Sequence, residues 1–416
     1  MNNMDLILPF KIAWQSLSRN KTRTSLTILG ITIGIAAVII VLSAGDSLKG
    51  LILGQVDAFG NDIIQVEVRI PKRGNFGSGG AIAQGVQITT FKLSEANAIA
   101  KLPNIKSYYA LVIGQAVVSY LDQNKTINYL GISPSFIDID KAKIASGRMY
   151  SKEEDNQSAK VAVLGAKVQQ KLFGNQNPVG QSIKIGQQKY QVIGILKERG
   201  NGFGLDFDSM VYIPVQTAQK LLLGIDYIMS SAFQVKDTAK QDETAAAITD
   251  LMREKHGITD SQDDDFAVTT MAEARDMINK IFGGITLLLI SIAGISLLVG
   301  GVGIMNIMYV SVTERTYEIG LRKAIGAKNS QILWQFLWEA IVVTLFGGLI
   351  GIVAGISLSF LISIIAGNFG FSWSFYLPPQ AILIAFGFCA AVGLIFGYYP
   401  ARKAALLNPI TALGRE

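Results

Sequence analysis

One histidine, His256, and one cysteine, Cys389, limit the covalent chemistry open to this chain of 416 residues. Nucleophilic catalysis needs a Ser or Cys beside a His that a third group orients. With one His, and with Cys389 in a charge-free apolar run that reads as membrane-embedded, no Ser/His/Asp or Cys/His set can be assembled. A Cys/His zinc site lacks ligands for the same reason, and a lone cysteine forms no intrachain disulfide. Oxygen ligands for a hard cation such as Ca²⁺ stand at Asp206/Asp208 and at Asp263-Asp264-Asp265. Acidic residues in loops more often read as solvated turns. The stretch Gly174-Asn-Gln-Asn-Pro-Val-Gly180-Gln-Ser182 resembles a phosphate loop only faintly. Its spacing is wrong, and no Lys stands where one must reach the phosphates. His256 precedes Gly257, where a cation at a helix C-terminus suits the dipole. These residues assign no catalytic, cofactor or metal site.

A different chemistry, that of docking, is written in Val312–Ala327. Glu314, Arg315, Glu318, Arg322 and Lys323 alternate in sign around Ile319, Leu321 and Ile325, with Gly320 inside and Gly326 at the end. Glu314 and Glu318 are four apart, as are Glu318 and Arg322, which puts these three on one helix face. Ile319 and Ile325 are the expected apolar anchors. Such a helix serves equally as a surface anchor or as a docking knob for a soluble partner.

The elements that must position this segment follow from the distribution of charge. Half the residues are hydrophobic, 16% are charged and mean hydropathy is +0.37, against ~25% charged for an average soluble domain. No Asp, Glu, Lys or Arg occurs in residues 24–45, 281–313 or 340–401. About 20 apolar residues cross one bilayer, and the third run is broken by Gly367–Gly370 and Pro378-Pro379. Four transmembrane helices are therefore expected, at 24–45, 276–312, 330–366 and 380–400. The first is retained, because its charged leader and apolar core are too long for a cleaved signal. Segment 1–23, with Leu6, Phe10, Trp14 and Leu17 at helical spacing, reads as an interfacial amphipathic helix.

Orientation follows from Lys and Arg near the spans. They gather before the first span, in 313–329 and in the tail 401–416, whereas the outer loop 367–379 carries aromatics instead. Residues 46–280 hold 26 basic and 26 acidic residues, so the whole net charge of +6 lies on the other side. Nucleic acid is not needed to explain it. Both termini are expected in the cytoplasm, with 46–275 outside. That outer segment reads as α+β, with strands near 63–70, 108–121, 160–164, 190–196 and 210–213. Helices are expected near 94–102, 165–173, 215–223 and 242–256, and Gly74–Gly85 as a mobile loop. Small residues recur at Gly30/Gly34, Gly347/Gly351/Gly355 and Gly393/Gly397. Such ridges let helices approach closely, within the chain or between subunits.

The run Gly300–Ala327 resembles the signature of the FtsX/MacB-type ABC transporter permeases. Asn20–Gly34 is similar to their first helix, and Gly397–Ala405 with Asn408–Leu413 to their C-terminal motif. Val161–Ala166, Leu172–Gly174 and Pro178–Ile183 resemble MacB-like periplasmic domains, which carry a porter lobe and an inserted lobe. The resemblance implies a non-catalytic permease subunit of the cell inner membrane that transmits ATP-driven motion to its outer domain. It implies a second copy as homodimer partner, a membrane-fusion adaptor, and export or efflux of peptides, toxins or drugs. Glu314, Arg315, Glu318, Ile319, Gly320, Arg322, Lys323, Ile325 and Gly326 would form its coupling helix. MacB carries its ATPase on the same chain; no Walker lysine occurs here, so a separate cytoplasmic ATPase is expected to bind the ATP and Mg²⁺, with no cofactor on this chain. The alternatives are a lipoprotein-releasing permease and an FtsX-like regulator of a cell-wall hydrolase.

Overall fold

The computed structural model describes residues 21–58, 60–71, 88–202, 205–368, 373 and 375–413. The interfacial helix expected over 1–23 falls mostly outside them, as do the Gly74–Gly85 loop and part of the aromatic outer loop. The helices that matter below are, in chain order, α1 (Lys21–Ala58), α2 (Leu93–Ile99), α3 (Ala166–Phe173), α4 (Gln241–His256), α5 (Met271–Glu314), α6 (Thr316–Ala324), α7 (Asn329–Asn368), α8 (Pro379–Ala405) and α9 (Pro409–Leu413). The chain divides into two compact units, residues 1–51 with 278–416, and residues 52–277.

In the first unit, α1, α5, α7 and α8 hold four stretches long and apolar enough to cross a membrane, so this is a multi-pass membrane protein. Two of these helices run well past the charge-free stretches. α1 continues beyond Gly45 through Asp46, Lys49 and Asp57, and α5 begins at Met271 rather than near residue 276. Charge ends the apolar run but not the helix, because Asp, Lys and Glu away from the hydrocarbon are compatible with helix. Ile31, Ile35 and Ile39 of α1 are fully buried among Leu297 and Ile304 of α5 and Ile352 of α7.

The second unit is built on a ten-stranded sheet. Its strands come from β1 (Ile63–Val68), β2 (Ile105–Tyr120), β3 (Gln123–Ile132), β4 (Ile144–Gly147), β5 (Val161–Leu164), β6 (Ser182–Ile185), β7 (Gln188–Leu196), β10 (Met210–Pro214), β11 (Ser230–Val235) and β12 (Phe266–Thr270), while β8 (Asn201–Gly202) and β9 (Leu205–Asp206) pair separately. The order is β12-β1-β11-β2-β3-β10-β5-β7-β4, with β6 against β2 and β7. Only β3/β10 and β5/β7 run parallel among these pairs. The two-residue period of a strand separates two cores. Ile127, Tyr129, Val211, Ile213, Ala162 and Leu164 face one side, which holds Ile248 and Met252 of α4 and Val168 of α3. Leu130, Ile132, Met210, Tyr212 and Val163 face the other, with Phe136 and Tyr150.

The five expected strands and four expected helices all coincide with strand or helix in the structure. β3, β4, β6, β11 and β12 were not expected. The first half of β3, Gln123–Thr126, is polar and exposed, so it lacks the alternating pattern that marks a half-buried strand. Ten cross-strand pairs with β2 hold it instead.

Candidate coupling surface

α5 ends at Glu314, and Arg315 turns the chain into α6 with φ −101° and ψ 15°. The Ile319 amide donates to Arg315 O (3.0 Å), starting the new ladder. At the far end Gly326 has φ +105°, a left-handed backbone that a side chain would strain. Arg315 Nη1 lies 3.3 Å from Glu339 Oε2 of α7, and Glu339 is 4% exposed. An ionised carboxylate in an apolar helix normally pairs, and this one meets the basic residue that opens α6. Arg322 Nη1 donates to Gln335 Oε1 of α7 (2.8 Å). Lys323 Nζ donates to the carbonyls of Ala405 (2.8 Å) and Leu407 (2.7 Å), capping the end of α8. Gly320 is buried, and a Cβ there would sit 2.7 Å from the Cβ of Ala412 in α9. α6 is thereby held on α7, α8 and α9.

That attachment corrects part of the sequence reading. Ile319 is 1% exposed and packs inside the helical unit, so it cannot anchor a partner. Arg322 turns to Gln335 rather than completing a stripe with Glu314 and Glu318, which stay exposed. The outward apolar residues are Tyr317 (57% exposed), Leu321 (48%) and Ile325 (80%). They are four apart, and so lie on one face. Ile325 was expected there. Tyr317 was missed, although its spacing to Leu321 and Ile325 was the available signal. What the surface can do chemically is bury apolar area against a groove while Glu314 and Glu318 set its rim charge.

The seven ridge glycines each face a helix of the same chain. Gly30 and Gly34 meet Gly300 and Leu297 of α5; Gly347, Gly351 and Gly355 meet Ile31, Ile35 and Ile39 of α1; Gly393 and Gly397 meet Thr344 and Ala340 of α7. A Cβ at Gly355 would lie 2.8 Å from that of Ile39, closer than real Cβ atoms approach. Backbone proximity, and the dispersion it permits, is what these positions supply.

The acidic residues weighed as cation ligands are engaged elsewhere. Asp206 pairs with Lys167 (3.0 Å), and Asp208 accepts the amides of Arg199 (3.0 Å) and Gly200 (2.9 Å). Asp264 takes both arms of Arg253, and Asp265 Oδ1 lies 2.7 Å from His256 Nδ1. His256 Nε2 lies 3.2 Å from Glu95 Oε1. In the glycine-containing loop the Gly180 amide donates to Val192 O (2.7 Å), a sheet contact rather than a phosphate cradle.

Four long apolar helices, a short helix mounted across their ends and a folded α/β domain between the first two define a membrane permease of the type with a large domain outside the helices. Residues 24–251 match the MacB-like periplasmic core domain, and residues 290–409 match the FtsX-like permease C-terminal domain. The chain belongs to the FtsX/MacB-type ABC transporter permeases. It is 39% identical to the macrolide export ATP-binding/permease protein MacB of Bdellovibrio bacteriovorus, covering 97% of this chain and 61% of that one. The MacB protein of Wolinella succinogenes is 36% identical, over 99% of this chain and 61% of its own length. The chain thus spans about three-fifths of the length of these relatives. The crystal structure of the periplasmic region of MacB from Actinobacillus actinomycetemcomitans covers 54% of this chain and 95% of its own, at 21% identity and TM-score 0.46.

Proposed function

We propose that this permease passes the ATP-driven motion of a cytoplasmic ABC ATPase, carried on a separate subunit, to its outer domain, and so expels amphipathic cargo. The relatives' names, which pair ATP binding with macrolide export, support that direction. The observation that carries the reading is the stripe Tyr317, Leu321 and Ile325, exposed on a helix whose other side is fixed to three neighbours. A rigidly mounted apolar stripe transmits displacement, whereas a loosely held helix would absorb it. ATP and Mg²⁺ are bound by the partner, a second copy completes a homodimer, and an adaptor receives the cargo. Residues 313–329 and both termini lie in the cytoplasm, on the side rich in Lys and Arg.

The test is a Leu321→Asp/Ile325→Asp double substitution, with Asp122→Lys in the β2–β3 hairpin as control. Membrane insertion should be unchanged in all three chains. Co-purification of the ATPase that accompanies the wild-type chain should fall at least tenfold in the double variant, since a lost central anchor costs ~1–4 kcal/mol. Full association in the double variant, or no ATPase with the wild type, overturns the proposal.

A further inference from the structure

Among the described residues, the second core of the outer domain leaves part of its sheet face open. Helix Phe136–Ile139 and the segment around Tyr150 cover β3 and β10 on that side. Over β1, β11 and the adjoining part of β2 lies a cavity of about 340 Å³. This is within the range of small-molecule sites, ~300–1,000 Å³. Ile63, Gln65 and Glu67 of β1 point into it, two residues apart, while Ile64 and Val66 between them are fully buried on the opposite face.

Its walls differ in chemistry. Tyr109, Phe136 and Phe207 supply aromatic surface, Tyr109 and Phe136 meeting edge to face at 5.4 Å. Leu111, Leu130 and Ile132 form an aliphatic side. Two carboxyl groups reach the cavity and are not equivalent. Asp140 is neutralised by Arg199, whose Nη1 lies 2.7 Å from its Oδ2 and whose guanidinium sits 4.9 Å from the Phe207 ring centre. Glu67 forms no ion pair among the described residues. Glu67 is the most exposed residue of β1, at the rim of the cavity, and partial desolvation there raises its carboxyl from the ordinary value. Among the described residues the cavity therefore presents one carboxylate without an ion pair, at the rim of a lining that is otherwise largely aromatic and apolar. Aromatic rings attract cations as carboxylates do, so both features of the lining favour a cation.

We propose that this cavity binds a small amphipathic amine, its protonated nitrogen on Glu67 and its apolar body against Tyr109, Phe136 and Leu130. The binding requires no ATPase and no transport step, so it stands or falls apart from the function proposed above.

The experiment titrates the full chain in lipid nanodiscs with 1-adamantanemethylamine, a rigid cation of suitable size, at neutral pH, following heat or ligand-observed NMR. Empty nanodiscs are subtracted. 1-Adamantanemethanol, of the same shape but neutral, is the matched ligand. Saturable amine binding is expected, with the alcohol at least tenfold weaker. Glu67→Gln should weaken amine binding at least tenfold and leave the alcohol unchanged, while Glu67→Asp should restore most of the affinity. Ser230→Phe, which fills the cavity from β11 beside Glu67 while keeping the carboxylate, should abolish binding of both ligands. Equal binding of amine and alcohol overturns the proposal, as does wild-type affinity in Glu67→Gln or Ser230→Phe, or no saturable binding by the wild-type chain.

Discussion

Asp155 shows how one buried carboxyl sets a pH dependence in the outer domain. It is 6% exposed, accepts the Gln216 amide at 3.1 Å, and is pushed up to about 6 from an ordinary value of 3.8 because burial disfavours its charge. An acid whose folded pKa lies above its unfolded one binds its proton more tightly when folded. Its contribution is thus most favourable in acid, falls as pH rises from ~4 to ~6, and stays low above that. The loss amounts to about 3 kcal/mol at neutral pH. Asp155→Asn keeps an acceptor for the Gln216 amide and removes the titration. Its gain in thermal stability over wild type should therefore be larger at pH 7.5 than at pH 4.5, read as the difference in melting temperature of the outer-domain transition. An equal effect at both pH values would mean that Asp155 does not titrate in this window. Glu339 is a buried carboxyl in a different setting, with Arg315 standing 3.3 Å away as an ion-pair partner.

Among the elements, α1 and α7 depend on close approach more than on side-chain bulk. Gly351 and Gly355 stack against Ile35 and Ile39, and the α1 side chains lock over the small residues. Gly355→Val would force its new Cβ against that of Ile39 and near Ala36 O (3.1 Å). Overpacking of this kind costs about 1–3 kcal/mol. Gly367→Ala, in the same helix with nothing within 4 Å, should change stability by less than about 0.5 kcal/mol. Thermal unfolding of both variants in detergent checks this. Equal melting temperatures would show that α1 and α7 can part without cost. The small-residue spacing was visible in the sequence; which helix each ridge meets was not. A four-residue period identifies a smooth face but carries no address for it.

For the whole molecule the decisive quantity is the placement of charge relative to the bilayer. The 26 basic residues of 46–280 are matched by 26 acidic ones, and the excess of +6 is the +7 of the termini and the 313–329 segment less the charge of Glu339. If that side is cytoplasmic, a single cysteine at Asp122, exposed in the β2–β3 hairpin, should react with an impermeant maleimide on intact cells. One at Asn329 should react only after permeabilisation. Both belong in a Cys389→Ala background, because Cys389 is the only native thiol. Labelling of Asn329→Cys without permeabilisation would invert the orientation and with it overturn the proposed docking of an ATPase on α6.

Length and charge determined much of this protein directly from its sequence. Runs without Asp, Glu, Lys or Arg must leave water, so four spans and an intervening folded segment follow from solvation alone. The motif Gly300–Ala327 likewise carried the family. The tertiary structure decided which side of α6 is available. The sequence offers Ile319 and Ile325 alike as anchors, and only the burial of Ile319 leaves Tyr317, Leu321 and Ile325 facing outward. It also decided the outer cavity, whose walls come from β1, β2, β3 and β11 and from Phe136, Asp140 and Phe207. Glu67 and Phe136 are 69 positions apart, and no local pattern couples them. A sheet order that interleaves distant strands brings them together, because each strand pairs where its buried face finds a partner rather than where the chain places it.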